Sequence, residues 1–324
     1  MNEKDQVLVT GANGFVGSAL CRRLQKEKWP VRALVRSSHS LSHNISFTDT
    51  AFIDDIGVES DLATHLEGIR TVVHLAARVH VMHDTAVDPL LEFKKINTNG
   101  TIALANVSVR AGVKRFVYLS TIKVNGEQTF DYPFSADVPV HPIDPYAVSK
   151  WEAEQKLHEI GRETGLEIVI VRPPLVYGPM VKANFLKLMR LVDKGLVLPF
   201  GSIKNKRSMI YIDNLVDFLM CCIAHPVAVN ETFLVSDGDD LSTPQLIGLL
   251  AKHLGKPDRL IPFPPGLLKG CAKLLGKGNV AERLFCSLQI DIRKAKKKLN
   301  WQPPFTVDYG LMKTGRWYKE KLGS

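Results

Sequence analysis

Gln6-Val7-Leu8-Val9-Thr10-Gly11-Ala12-Asn13-Gly14-Phe15-Val16-Gly17 is the stretch that decides how this chain folds. Five residues of apolar character, too few for a buried helix, read as a strand, and the glycines that follow allow a tight turn. A helical pattern then runs to about residue 27. In a strand, glycine turn and helix in that order, the free amide N–H groups and positive end of the helix face a ligand across the turn. A pyrophosphate is the group that suits them.

Working outward, short apolar runs at residues 31–35, 51–53, 71–75, 115–119 and 167–172 alternate with helical stretches. Near-continuous apolar strands imply a parallel sheet covered by helices on both faces, so the fold class is α/β and doubly wound. Residues 88–112 read as one long helix carrying the polar run Asn97 to Thr101. Such side chains are costly to bury, so they are expected to face solvent or a ligand. Past Pro173-Pro174 the pattern becomes less regular and suggests a smaller lobe, with 209–212 and 232–235 as candidates to return to the sheet. The expected division is a sheet-forming region at 1–172, completed by parts of 209–240, and a mainly separate lobe at 173–324, the parts to which the family resemblance below gives dinucleotide and substrate binding respectively.

Ligands of open α/β sheets sit outside the carboxyl ends of the strands. Thr121, just past the run 115–119, is therefore a candidate site residue. Asp144-Pro145-Tyr146-Ala147-Val148-Ser149-Lys150 opens a helix in which Tyr146 and Lys150 stand one turn apart on one face. An ammonium beside a phenol favours the phenolate, and the spacing predicts a lowered Tyr146 pKa suited to proton transfer.

Composition excludes several classes. At 45% hydrophobic and 23% charged residues the chain is neither disordered nor fibrous, and five cysteines without Cys-x-x-Cys spacing argue against a disulfide framework or a metal site. The formal charge of +9 owes much to the run at 293–298, which lacks the interleaved aromatics that nucleic-acid stacking needs and reads as a solvated helix face. No apolar run approaches the roughly eighteen residues of a membrane span, and no apolar signal core follows the start, so a cytoplasmic protein is expected. Lys269 and Lys273 lie opposite leucines within 266–276; a packed core is favoured there over peripheral membrane contact.

Taken together, Gly11 to Gly17, Thr121, Tyr146 and Lys150 resemble the extended short-chain dehydrogenase/reductase family, in its sugar-nucleotide epimerase and dehydratase branch. The resemblance implies a Rossmann-type sheet with a smaller C-terminal substrate lobe, and Thr121, Tyr146 and Lys150 as the catalytic triad. It implies a dinucleotide held by Gly11, Asn13, Gly14, Phe15, Val16 and Gly17, with its adenine beside Asp55 and Ile56. Ala76, Ala77, Asn97 and Pro173 would line the rest of the cofactor, and Tyr146 and Lys150 would meet its nicotinamide end. For a UDP-sugar it implies Arg78, Thr121, Lys123, Asn184 and Arg207, with Arg283 as the nearest counterpart of a further arginine. A homodimer is left open.

Two departures from the family pattern narrow the chemistry. Dehydratases of this branch carry an Asp-Glu pair directly after the catalytic Thr, and this chain has Ile122-Lys123; 4,6-dehydration is not expected. An acid that would accept the NAD ribose hydroxyls after the second strand is replaced by Val35-Arg36-Ser37-Ser38. Arg36 would suit a 2'-phosphate, so NADP is the expected cofactor and NAD the alternative. The runs 120–127 and 172–179 look most like enzymes that reduce UDP-4-keto-6-deoxy-N-acetylhexosamines for surface polysaccharides. UDP-glucose or UDP-N-acetylglucosamine 4-epimerases are the alternative, and a non-catalytic dinucleotide-binding regulator is the remote one.

Overall fold

The computed structural model describes residues 5–36, 47, 49–79, 88–274, 278 and 284–322. Its strands are β1 (Gln6–Thr10), β2 (Val31–Val35), β3 (Asp49–Phe52), β4 (Ile69–His74), β5 (Arg115–Leu119), β6 (Glu167–Arg172), β7 (Leu175–Tyr177), β8 (Met209–Tyr211) and β9 (Glu231–Leu234). Seven of them form one parallel sheet in the order β3-β2-β1-β4-β5-β6-β9. The order reverses between β1 and β4, which opens a crevice at the carboxyl ends of those strands.

Alternation along β1 shows how the sheet is wrapped. Val7 and Val9 point to a core shared with Leu20 and Leu24 of α1 (Phe15–Lys26) and with residues Leu215 and Leu219 further along the chain. Leu8 points the other way, to a core holding Leu104, Val107, Leu157 and Ile160. Both faces are buried, which is why the strands are apolar throughout.

The stretch read as one long helix is interrupted. After α2 (Glu59–Ala63), α3 (Pro89–Phe93) passes through a π-helical turn, Lys94–Asn99, into α4 (Gly100–Arg110). One extra residue per turn rotates Asn97 and Thr98 inward, where both are buried. Helix α5 (Pro145–Thr164) starts on Asp144, whose Oδ1 accepts the Ala147 N–H at 2.6 Å, and stops at left-handed Gly165.

Of the two segments expected to rejoin the sheet, only 231–234 does so, as β9 beside β6. β8 pairs instead with β7 in a separate two-stranded parallel sheet. Pro173-Pro174 supplies no backbone donors, so the chain leaves the main sheet there and finds a new partner past its carboxyl edge. Beyond it lie α6 (Ala183–Asp193), α7 (Ile212–Ala224), α8 (Thr243–Leu254) and the helices Pro265–Leu274, Arg293–Leu299 and Val307–Lys321. The basic run forms the helix Arg293–Leu299, in which Ala295 and Leu299 are buried and Lys294 pairs with Glu231 at 2.9 Å. In Pro265–Leu274, Leu267 and Leu274 are exposed, so the packed-core reading of 266–276 fails for those two side chains. No helix among the described residues is long and apolar enough to cross a membrane.

Candidate active site

The glycine turn closes tightly at the crevice. Gly11 adopts φ +64°, and a Cβ on Gly17 would lie 2.2 Å from the Gly11 carbonyl oxygen, so α1 approaches the end of β1 as closely as backbone allows. Helix α1 has no acid in its first turn, and its N-cap is Gly14, which brings no side chain to cover the free N–H groups. A bare positive helix end above a turn that any Cβ would fill fits a dinucleotide's pyrophosphate. Asn13, Phe15 and Val16 lie in this same segment. Asp55 spends one carboxylate oxygen on the Gly57 N–H at 2.8 Å, and Ile56 packs on Gly100 of α4.

A chain of hydrogen bonds fixes the floor of the crevice. Thr10 Oγ1 accepts the N–H groups of Leu75 and Ala76, both at 3.1 Å, which commits its proton to His74 Nδ1 at 2.7 Å. The other ring nitrogen, Nε2, must then carry the proton and donate to Thr101 Oγ1 at 3.0 Å; Thr101 in turn donates to the Asn97 carbonyl at 2.7 Å. Burial, with Lys150 nearby, pushes the His74 ring down to about 3, so it stays neutral. This ties Ala76 and Ala77, at the end of β4, to the glycine turn and to the π-helical segment.

Asn97 was expected to face solvent or a ligand, and its full burial removes the first of these. Its Nδ2 donates to the Arg78 carbonyl at 3.1 Å and to Ser149 Oγ at 3.0 Å, while its Oδ1 accepts the Arg78 N–H at 2.8 Å. It clamps the backbone of Arg78 to α5. The Arg78 guanidinium lies 5.5 Å from the centre of the Phe93 ring, and Phe93 stands edge-on to Tyr146 at 6.0 Å. Arg78 and Tyr146 therefore share one wall.

On α5, Tyr146 is half-buried and Lys150 almost wholly buried. Lys150 Nζ donates to the Leu119 carbonyl at 2.9 Å and sits 4.5 Å above the Tyr118 ring. Burial pulls the lysine down to about 7, against an opposing pull from Glu154. The expected lowering of Tyr146 is not found. Burial and then the Asp144 carboxylate raise its phenol well above the usual value.

Thr121 lies two residues past the end of β5 and is 9% exposed. Lys123, expected to touch substrate, pairs with Glu127 at 2.9 Å and with Asp144, the cap of the tyrosine's helix. Burial alone would raise Asp144, but Lys123 and the Ala147 N–H outweigh it and hold the carboxyl below its usual range. Pro173 accepts the Ile122 N–H at 3.0 Å and so joins β6 to the threonine's turn.

The remaining candidates are more scattered. Asn184 is exposed in the first turn of α6, and Arg36 is exposed just past β2. Arg207 is half-buried, with Nη1 on the Cys286 carbonyl at 2.9 Å and its backbone bridged to Leu241 and Leu288. Arg283, Ser37 and Ser38 lie outside the described residues. Sequence reasoning passed over His74, Ser120, Asn125, Glu154 and Arg172. The available signals were Glu154, one helical turn past Lys150, and a charged residue closing the apolar run at 167–172.

The model of the NAD dependent epimerase/dehydratase family matches residues 7–236. The chain is 44% identical over 313 residues to a UDP-glucose 4-epimerase of Vibrio cholerae, covering 96% of this chain and 94% of that one. It is 28% identical to the N-acetyl-alpha-D-glucosaminyl-diphospho-ditrans,octacis-undecaprenol 4-epimerase of Escherichia coli O157:H7, again over 96% and 94%. Among solved structures it resembles the UDP-glucose 4-epimerase of Thermotoga maritima with UDP-glucose, at TM-score 0.79 and 26% identity over 98% of this chain and 99% of that one. It also resembles the dTDP-glucose 4,6-dehydratase DesIV of Streptomyces venezuelae with NAD, at TM-score 0.78 and 26% identity over 98% of each.

Proposed function

The chain belongs to the NAD dependent epimerase/dehydratase family, and from that premise we propose that it is a UDP-hexose 4-epimerase acting on UDP-glucose, UDP-N-acetylglucosamine or both. The observation that carries this reading is its 44% identity, across nearly the whole of both chains, to a UDP-glucose 4-epimerase. It outweighs the reduction of a UDP-4-keto-6-deoxy-hexosamine that the sequence motifs favoured. Ile122-Lys123 supports it against dehydration, since Lys123 is bound to Glu127 and Asp144 and no acid–base pair follows Thr121.

In this reading the turn Gly11 to Gly17 and the helix end behind it hold the dinucleotide. That cofactor supplies a reversible hydride acceptor for sugar C4. Thr121 holds the C4 oxygen by its hydroxyl, and Tyr146 takes the hydroxyl proton as the C4–H bond breaks. The Lys150 charge, one turn away on α5, favours the ionised phenol and opposes the effect of burial on it. The ketone then presents its other face, and Tyr146 returns the proton to the same oxygen. Arg207 and Asn184 hold the diphosphate, which keeps the nucleotide fixed while the sugar turns over. Arg78, clamped by Asn97, supplies a cation to the wall above.

Arg36 favours a second reading. Exposed past β2, where an acid for the NAD ribose is missing, it suits a cofactor with a 2'-phosphate and hence a reductase that exchanges NADPH every turn. One experiment separates the two. The purified protein is given UDP-glucose or UDP-N-acetylglucosamine, and the products are followed together with cofactor absorbance. The epimerase reading expects interconversion with the galacto epimer and no net oxidation. Consumption of NADPH only with a UDP-4-keto-6-deoxy-hexosamine, and no epimer formed, would overturn it.

A further inference from the structure

Beneath the candidate catalytic residues the structure buries a complete ion pair. Glu154, on α5 one turn past Lys150, has no exposed surface, and Arg172, the last residue of β6, is 3% exposed. Arg172 Nε donates to the two carboxylate oxygens at 3.0 and 3.2 Å, and Nη2 donates to Oε2. The Ser120 hydroxyl donates to Oε1, and Arg172 Nη1 donates to Asn125 Oδ1 at 3.0 Å. The four side chains come from α5, the end of β6, the end of β5 and the turn after Thr121.

A pair buried this deeply adds little net stability over well-packed apolar residues of similar volume, because both ions must give up water. Stability is thus a weak reason for it, and its placement offers a better one. Ser120 immediately precedes Thr121. Glu154 shares its helix with Tyr146 and Lys150. The Ser120 N–H also bonds the Val171 carbonyl at 2.7 Å, next to Arg172. A slide or tilt of α5 against the strand ends stretches the bonds from Glu154 to Ser120 and Arg172.

We propose that Glu154 and Arg172 are positioning residues for the reaction, a buried strut that holds Tyr146 and Lys150 on α5 in register with Thr121 at the end of β5. The proposal rests on the assignment of those three residues as the reacting set. The strut also bears on charge. Lys150 is faced by His74 from β4, Tyr118 from β5 and Glu154 from its own helix, which also carries Tyr146 one turn earlier, with Arg172 of β6 on the carboxylate. Burial brings Lys150 down to about 7, and Glu154 is the group that opposes this. Removal of the carboxylate lowers the lysine further, so its charge is lost at a lower pH as pH rises.

The test uses two variants. Glu154→Gln keeps the shape and removes the charge; Glu154→Gln combined with Arg172→Met also removes the stranded cation, the main penalty that could keep the single variant from folding. Both are expected to lose on the order of tenfold to a hundredfold in kcat with KM little changed, the scale of a small misplacement of reacting groups. In both, the side-chain nitrogen resonance of Lys150, assigned with Lys150→Met, is expected to titrate at lower pH than in the parent. That measurement needs no substrate, so it stands even if the epimerase assignment fails. A folded double variant with parental kcat and an unmoved Lys150 titration would show an ordinary structural bridge and overturn the proposal.

Discussion

The two halves of the candidate site are built differently. On the sheet side, Thr10, His74, Asn97, Thr101, Ser120, Glu154 and Arg172 are all buried, and each is committed to partners within the protein. On the other side, Asn184 is exposed and Arg207 is half-buried, with its Nη1 on the Cys286 carbonyl. Groups that move a proton need fixed geometry, which buried networks on strand ends and a helix provide. Groups that grip a diphosphate need charge and reach, and loops suffice. In the proposed function, the side that would move the proton is tied down by buried hydrogen bonds, and the side that would hold the diphosphate carries more exposed residues.

The largest effect belongs to the buried half. Tyr146→Phe keeps the ring against Phe93 and removes the proton, so turnover is expected to fall by roughly two to four decades, the scale of general acid–base catalysis. Dinucleotide binding, measured by fluorescence quenching, should be unchanged. A variant that still turns over at the parental rate would remove Tyr146 from the mechanism and leave the buried networks without a catalytic purpose.

A smaller effect is expected on the more exposed half. Arg207→Ala removes a charge-assisted contact worth about 1.5 to 3 kcal/mol, which raises the substrate KM roughly tenfold to a hundredfold. The kcat should change little, and the melting temperature should hold. Equal losses in KM and kcat would mean that Arg207 acts in the transition state, and the contrast between the halves would weaken accordingly.

The same contrast governs what could be read from the sequence. Strands buried on both faces leave unbroken apolar runs, so 6–10, 31–35, 115–119 and 167–172 coincide with the observed β1, β2, β5 and β6. The glycine turn was legible because backbone contact at Gly17 excludes every side chain. Pairing partners were less accessible: Met209–Tyr211 has strand character either way, and only the exit of the chain at Pro173-Pro174 sends it to β7. The inward turn of Asn97 depends on a π-helical residue that leaves no periodic signature in so short a segment. Glu154 and Arg172 meet across eighteen residues and two elements, a contact that spacing alone does not reveal. The Tyr146 phenol is raised rather than lowered because burial, which the helical spacing does not reveal, and the Asp144 carboxylate both disfavour its ionised form.

The smallest effect concerns Arg36, and it sharpens the choice of cofactor. Its side chain is exposed at the carboxyl end of β2, the place from which a residue can reach the adenosine ribose. In an epimerase that keeps NAD, this arginine meets no 2'-phosphate, and Arg36→Ala should change NAD affinity and epimerisation by less than about twofold, the behaviour of a surface charge. In a reductase selective for NADPH it would hold the phosphate, and the same change should weaken NADPH by about tenfold or more while sparing NADH. Titration of parent and variant with all four dinucleotides separates these outcomes without any sugar present. With the epimerase reading, the expected result is near-identity of the two proteins toward NAD and NADH. A selective loss toward NADPH would shift the more exposed half's boundary to include the adenosine end of the cofactor site and reopen the reductase reading.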